Sequence, residues 1–428
     1  MNEEMQSILL SIGRHGMTPC YVYFFEDIKE RIERLAKAFA CFTISYAVKS
    51  NPNSALLQQL AIRGISVDIS SGGELDRAIS AGFAPGQISF SGPGKRQFEL
   101  ARVVGLGQKG GQQVEVVCES EREICILDEL SGRMGTHMPF LIRINPAAVP
   151  SGFAITMGGK ASQFGIDEEE LDSVLAKLSE WENLTFHGFH MYSASNCLSE
   201  QAISDNFSIY IQLFSRFSRK YRLRPAKLIF GAGFGIPYQL DQSPLNVKCL
   251  ADLINPQICS MKEQEQLADA ECVLELGRFL VGPSGYFLTS VISEKHSRGM
   301  AVRICDGGMN NHLAACGLMG GIIRRNWPMW KIENQDKNYT EAEYLITGPL
   351  CTAIDTLGHK VRLPELHCGD LIAIGSSGAY GLTSSPTRFI SHPEPREYLV
   401  LGPYDKAEVI DVSETQTASP AELSMASR

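Results

Sequence analysis

The sequence predicts an α/β protein, a closed parallel (β/α)8 barrel followed by an all-β domain, and three observations carry that expectation. Eight short apolar runs alternate with helix-compatible stretches between residues 44 and 277. Most of these runs end in a charged, polar or glycine residue. From about residue 285 the helical periodicity stops, and β-like runs separated by turns take over. A chain of 428 residues also exceeds what one hydrophobic core usually supports, so two domains are expected.

The elements follow in chain order. CYVYFF (20–25) is an early strand that precedes the barrel. The barrel runs are ISYAVKS (44–50), ISVDIS (65–70), ISFSG (88–92), VEVVC (114–118), PFLIRIN (139–145), FHGFHMY (186–192), KLIFG (227–231) and CVLELG (272–277). Between most of them lie NSALLQQLAIRG, GELDRAISAGF, KRQFELARVVGLG, ESEREICILDELSGR, DEEELDSVLAKLSEW and SDNFSIYIQLFSRFSRKY. Apolar residues recur there at three- and four-residue spacing, the signature of an amphipathic helix. Gly64 and Gly82 follow two of these stretches as C-terminal stops. A doubly wound open sheet is the alternative, because strand count does not prove closure. The later runs GYFLTSVISEK, AVRICDGG, EYLITGPLC, LIAIGSSGAYG and TRFISHP read as strands of the second domain. SETQTASPAELSMASR, small and polar, reads as a loose tail.

Composition excludes several function classes. The chain is 44% hydrophobic and 20% charged with a mean hydropathy of −0.06, an ordinary soluble globule. A net charge of −9 and a pI near 5.6 argue against a nucleic-acid or anionic-membrane surface. No apolar run reaches the roughly 18 residues a spanning helix needs. The start, MNEEMQSILLSIGRHG, lacks the basic head and long apolar run of a signal peptide, so a cytoplasmic protein is expected. Twelve cysteines are scattered without CxxC spacing, which reads as free thiols in a reducing cytosol and argues against a metal site.

In a barrel of this class the chemistry sits at the C-terminal ends of the strands. Lys49, Asp68, Arg143, His190, Gly231, Gly233 and Glu275 fall there. Lys49 is either a strand-end lysine with a packed stem and a wet head, or a Schiff-base lysine whose amine must be partly desolvated to be nucleophilic. FGAGFGIP (230–237) is either a tight turn or a set of backbone N–H groups surrounding a phosphate. ELGR (275–278) is a local ion pair or a working carboxylate followed by Arg278. HGFHMYSAS (187–195) supplies His190 and Ser193, and GPLCTAID (348–355) places Cys351 just after a Gly-Pro turn. A lysine for an imine, a glycine cradle, a carboxylate and a flat imidazole together are what pyridoxal 5′-phosphate requires.

Ten motifs then show a family resemblance. YAVKSN, SGGEL (71–75), SGPGK (91–95), RINP (143–146), HMYS, GAGFG, ELGR, DGGMNNH (306–312), GPLC and GAYG (378–381) occur in the order seen in fold-type III pyridoxal-phosphate decarboxylases. That family includes the ornithine, lysine and diaminopimelate decarboxylases. The resemblance implies an alanine-racemase-like barrel at 26–280, a β domain at 281–412 that takes in the N-terminal strand of residues 1–25, and a flexible tail at 413–428. It implies that Lys49 carries the cofactor, that His190 stacks on its ring and that Glu275 pairs with its ring nitrogen. Ser193, Gly233 and Tyr380 correspond to phosphate contacts, with Asp68, Arg143 and Arg278 completing the cofactor set. Arg278, Asp306, Cys351 and Thr352 correspond to the substrate side, Cys351 being delivered by the partner subunit of a homodimer with shared active sites.

The departures bear on substrate. Relatives acting on basic amino acids usually carry an acidic residue after that cysteine, where this chain has Thr352. A buried ammonium without its carboxylate loses several kcal/mol, so ornithine and lysine are disfavoured. The distal-carboxylate arginine of diaminopimelate decarboxylases is not evident around DGGMNNHLAACGLMGG. Leu276 replaces a usual proline, Ala232 a glycine, and Tyr192 stands where the commoner motif has glycine. MGGKASQFGID (157–167), NWPM (326–329) and GPLCTAIDTLG resemble a subgroup that decarboxylates an aminoacyl group on a carrier protein, typified by the glutamyl-carrier-protein decarboxylase of butirosin biosynthesis. A free amino-acid decarboxylase, a racemase and an inactive regulator are the competing readings.

Overall fold

The computed structural model describes residues 1–15, 18–107, 111–317, 325–333 and 340–413, so the expected tail lies outside the described residues except for Ser413. The described residues divide into two compact units, one over Ile28–Pro283 and one combining Met1–Asp27 with those from Ser284 to Ser413.

The first unit is a closed barrel. Its parallel strands are Thr43–Ala47, Ser66–Ile69, Ile88–Phe90, Glu115–Cys118, Met138–Asn145, Leu184–Met191, Lys227–Gly231 and Glu271–Leu276. Each pairs with the next, and the last returns to the first with Val273 opposite Thr43 and Glu275 opposite Ser45. Closure removes both sheet edges and rules out the open-sheet alternative. Val117, Leu141, Ile229 and Val273 form one of its buried apolar clusters.

Local chemistry starts the helices where the strands stop. Ser71 accepts from the Glu74 N–H, and Ser120 accepts from the Glu123 N–H. Glu74 reaches back to the Ser70 N–H at 2.7 Å and Glu123 to the Glu119 N–H at 2.7 Å. The repeated Ser-x-x-Glu thus satisfies orphan donors at two strand-to-helix turns. Two helical expectations need correction. DEEELDSVLAKLSEW yields a short helix, Leu171–Leu175, and a 3-10 turn, Leu178–Glu180. Val247–Lys262, a helix the periodicity did not mark, packs against Glu200–Tyr221 despite Pro256 inside it.

The second unit is mostly sheet. Cys20–Phe24 lies antiparallel to Gly285–Ser297 and parallel to Arg396–Leu401, so the early strand belongs to this unit. Glu3–His15 is a helix, and its Met5, Leu9, Leu10 and Ile12 join Val22, Leu288, Leu371 and Val400 in a buried cluster. Its acidic first turn and basic last turn complement the helix dipole. TRFISHP is not a strand: it forms a 3-10 turn at Phe389–Ser391 with Ile390 at φ 60°. Among the described residues no helix is long and apolar enough to cross a membrane.

Candidate active site

Lys49 sits one step beyond its expected place. The strand ends at Ala47, and Val48–Ser50 form a 3-10 turn. The Ser50 hydroxyl donates to the Ala47 carbonyl at 2.8 Å and to the Tyr46 hydroxyl at 3.0 Å, and Tyr46 donates in turn to the Asn51 carbonyl at 2.9 Å. These bonds pin the turn, and Lys49 projects from it with its side chain 38% exposed. Its Nζ lies 3.7 Å from Asp68 Oδ2 and 3.6 Å from Glu275 Oε1, and both carboxylates are fully buried.

Two buried carboxylates share one ammonium, so they titrate differently. Burial first, and then the Glu275 charge, push Asp68 up to about 7 against the pull of Lys49 and of the Ser91 and Ser89 hydroxyls. Burial also acts to raise Glu275, but Lys49, His190 and Arg143 outweigh it and bring Glu275 down to about 2. His190 Nε2 is 2.9 Å from Glu275 Oε2. Burial holds the imidazole below its ordinary range, so the ring is neutral and Nε2–H donates to the ionised Glu275. Its Nδ1 is buried with no hydrogen-bond partner among the described residues.

These opposite shifts predict a pH signature in the cofactor-free protein. The folded chain holds the Asp68 proton more tightly than the unfolded chain does. That contribution to stability is therefore full below about 3.8 and is lost as pH rises through about 7. Glu275 runs the other way, its contribution being present above 4.5 and lost as pH falls through about 2. Asp68→Asn is expected to abolish the loss between about pH 4 and 7. Urea midpoints taken across that range check it, and wild-type and variant curves that stay parallel would contradict it.

The other barrel residues frame this centre. Arg143 donates to Glu119 Oε1 at 2.9 Å and to the Tyr192 carbonyl at 3.1 Å. Glu119 also accepts from the Gly92 N–H at 2.6 Å and the Gly165 N–H at 3.0 Å. Glu119 was missed in the sequence, although it directly follows VEVVC, where the strand-end rule would have selected it. Lys95 of SGPGK is buried and paired with Glu123 at 3.0 Å. The Ser193 hydroxyl is spent inside the protein, 2.9 Å from Asn206 Oδ1 and 2.8 Å from the Tyr210 hydroxyl. Gly233 sits at φ 66°, where a Cβ would come 2.6 Å from the Ala194 carbonyl oxygen, so this turn demands glycine. Arg278 opens the short helix Arg278–Val281 and donates to the Tyr238 hydroxyl.

The remaining expected residues lie in the sheet unit. Asp306 accepts from Thr18 Oγ1 at 2.5 Å, Thr289 Oγ1 at 2.7 Å and the Ser290 N–H at 2.9 Å, so its carboxylate ties this unit together. Cys351 is exposed and Thr352 half-buried. Asp355, which the sequence did not single out, accepts from the Met309 N–H at 2.6 Å and the Leu350 N–H at 2.7 Å and so anchors the loop that carries Cys351. Tyr380 holds a left-handed φ of 53°, a conformation that bulky residues rarely keep without reason.

Comparison with known proteins decides the family. Residues 25–282 match the model of the pyridoxal-dependent decarboxylase, pyridoxal binding domain. The chain belongs to the pyridoxal-dependent decarboxylases. It is 31% identical over 98% of both chains to the L-glutamyl-(BtrI acyl-carrier protein) decarboxylase of Niallia circulans. It is 32% identical to the diaminopimelate decarboxylase of Aquifex aeolicus over 90% of this chain and 86% of that one. Among solved structures, diaminopimelate decarboxylase from Helicobacter pylori complexed with L-lysine superposes with a TM-score of 0.81 at 26% identity, covering 95% of this chain and 96% of that one.

Pyridoxal 5′-phosphate is the cofactor of this decarboxylase family, and the residues fit it. An amine stands against two buried carboxylates of opposite titration. An imidazole offers an unpartnered buried nitrogen, and the left-handed turn at Gly233 is one that only glycine fits.

Proposed function

We propose that this decarboxylase removes the α-carboxylate of an aminoacyl group tethered to a carrier protein, working as a cytosolic homodimer in secondary metabolism. The observation that carries the reading is Lys49 Nζ held within 3.7 Å of both Asp68 and Glu275, an amine placed between two buried carboxylates at the mouth of the barrel. The tethered substrate is supported by similarity along 98% of both chains to a decarboxylase named for an acyl-carrier-protein substrate, and by Thr352 standing where an acidic residue would meet a distal ammonium.

Lys49, His190, Glu275 and the Gly233 turn would hold the cofactor, with Asp68, Arg143 and Arg278 around it. When bound, it draws off the electron pair released as the carbon–carboxylate bond breaks. Glu275, ionised and braced by His190, presents fixed negative charge inside the barrel. Asp68, the weaker acid, can keep or release a proton next to Lys49 near neutral pH. Arg278 orients the substrate together with Thr352 of the partner subunit, and Cys351 of the partner subunit gives the thiol proton to the α-carbon. Ser193 acts on the phosphate side through the backbone it braces, because its hydroxyl is committed to Tyr210 and Asn206. Asp306 supports the substrate side by holding its loop.

A carrier protein loaded through the side-chain carboxyl of glutamate keeps its α-carboxylate free to leave. Incubation with the enzyme is expected to remove carbon dioxide from that conjugate, read by intact mass, with little reaction on free glutamate. The second reading, a decarboxylase of free diaminopimelate, rests on 32% identity to the Aquifex aeolicus relative. Faster release from free diaminopimelate than from any conjugate would replace the first reading with the second.

A further inference from the structure

Tyr192 is one of the motif departures that the proposed mechanism leaves without a role. It follows the strand Leu184–Met191 directly, where a side chain emerges at the C-terminal mouth of the barrel. Contacts with described residues hold it. Its carbonyl accepts from Arg143 Nη2 at 3.1 Å, its hydroxyl donates to Ser195 Oγ at 3.4 Å, and its ring lies on Gly231. A Cβ added at Gly231 would come 2.5 Å from Tyr192 Cγ and 2.7 Å from Tyr192 Cβ, so the glycine makes room for the ring. The Lys49 ammonium stands 5.5 Å from the ring centroid, within cation–π range. Tyr192 is only half-buried, so its ring presents a face to whatever approaches that amine.

We propose that Tyr192 is a specificity-determining residue, an aromatic wall that limits the bulk a substrate can carry next to its α-carbon. The inference rests on the decarboxylase reading. A substrate amine that takes the place of the Lys49 amine has its α-carbon one bond away, within reach of the same ring. The wall is rigid because its backbone, ring and hydroxyl are held separately. Removing the ring opens space at the α-carbon, and pushing the ring forward from Gly231 closes it.

The test is amino-acid binding to the cofactor-loaded protein, followed by the visible absorbance change as the added amine exchanges with Lys49. L-Alanine and L-phenylalanine are the probes, and the ratio of their apparent Kd values is the readout. Tyr192→Gly is expected to shift the ratio toward L-phenylalanine by about tenfold or more, the scale at which pockets discriminate small changes in apolar bulk. Gly231→Ala, which drives the ring outward, is expected to shift it the opposite way. Tyr192→Phe keeps the ring and is expected to keep the wild-type ratio, and Tyr192→Ala reads the same wall if the glycine variant folds poorly. Ratios unchanged in Tyr192→Gly and Gly231→Ala, with the wild-type spectral response intact, overturn the wall alone. A wild-type protein whose spectrum responds neither to these amino acids nor to the glutamyl-carrier conjugate overturns the underlying reading and the wall with it.

Discussion

Replacing Lys49 with alanine is expected to lower turnover by at least about 10³-fold and to remove the visible absorbance of the lysine-linked cofactor. The turn Val48–Ser50 is pinned by Ser50 and Tyr46 and aims this one amine at Asp68 and Glu275. Alanine also leaves two buried carboxylates without their shared cation, so lost activity could be blamed on lost structure. Lys49→Arg separates the two effects. A guanidinium keeps the positive charge against both carboxylates but is always protonated and cannot form the imine. The arginine variant is therefore expected to hold its thermal midpoint closer to wild type than alanine does while losing turnover just as fully. Absorbance and carbon dioxide release measured side by side check this. Wild-type turnover in either variant would remove Lys49 from the chemistry.

The barrel was legible because its signals are local. Apolar runs of the right length, helical spacing between them and polar residues at their ends mark each strand before any tertiary contact is known. The same strand-end rule found Lys49, Asp68, Arg143, His190 and Glu275, which the fold gathers at one mouth. What the sequence does not carry is direction. Ser193 is adjacent to Tyr192 in the chain, yet its hydroxyl turns to Tyr210 and Asn206 on the following helix. Asp306 lies in a conspicuous motif, yet its oxygens are taken by Thr18, Thr289 and Ser290 from distant segments. A sequence shows that a carboxylate is present but not which donors reach it first. The helix Glu3–His15 escaped for another reason: an acidic start argues against an export signal but does not by itself disclose the amphipathic face that buries Leu9 and Ile12.

Glu275→Gln is expected to cut the maximal rate by roughly 10²–10³-fold while leaving cofactor binding largely intact, the scale seen when one preorganised electrostatic partner is lost. Glutamine fills the same volume and still accepts from His190, so the pocket keeps its shape. What it loses is the fixed negative charge, and that charge is strong here because Lys49, His190 and Arg143 hold Glu275 ionised down to about pH 2 against complete burial. A merely structural role predicts something else, a loss of cofactor or of fold with little selective effect on the maximal rate. The coupling to Asp68 supplies an independent check. Glu275 repulsion is the second force raising Asp68, after burial, so removing it leaves Lys49 as the near-exclusive counter-ion of Asp68. Asp68 must then ionise at lower pH, and the stability lost between about pH 4 and 7 in the cofactor-free protein should shrink in Glu275→Gln as it does in Asp68→Asn. Rate and pH-dependent unfolding must move together. A slowed variant whose stability curve matches wild type would mean that Glu275 and Asp68 do not share one ammonium, and the geometry on which both functional claims stand would be wrong.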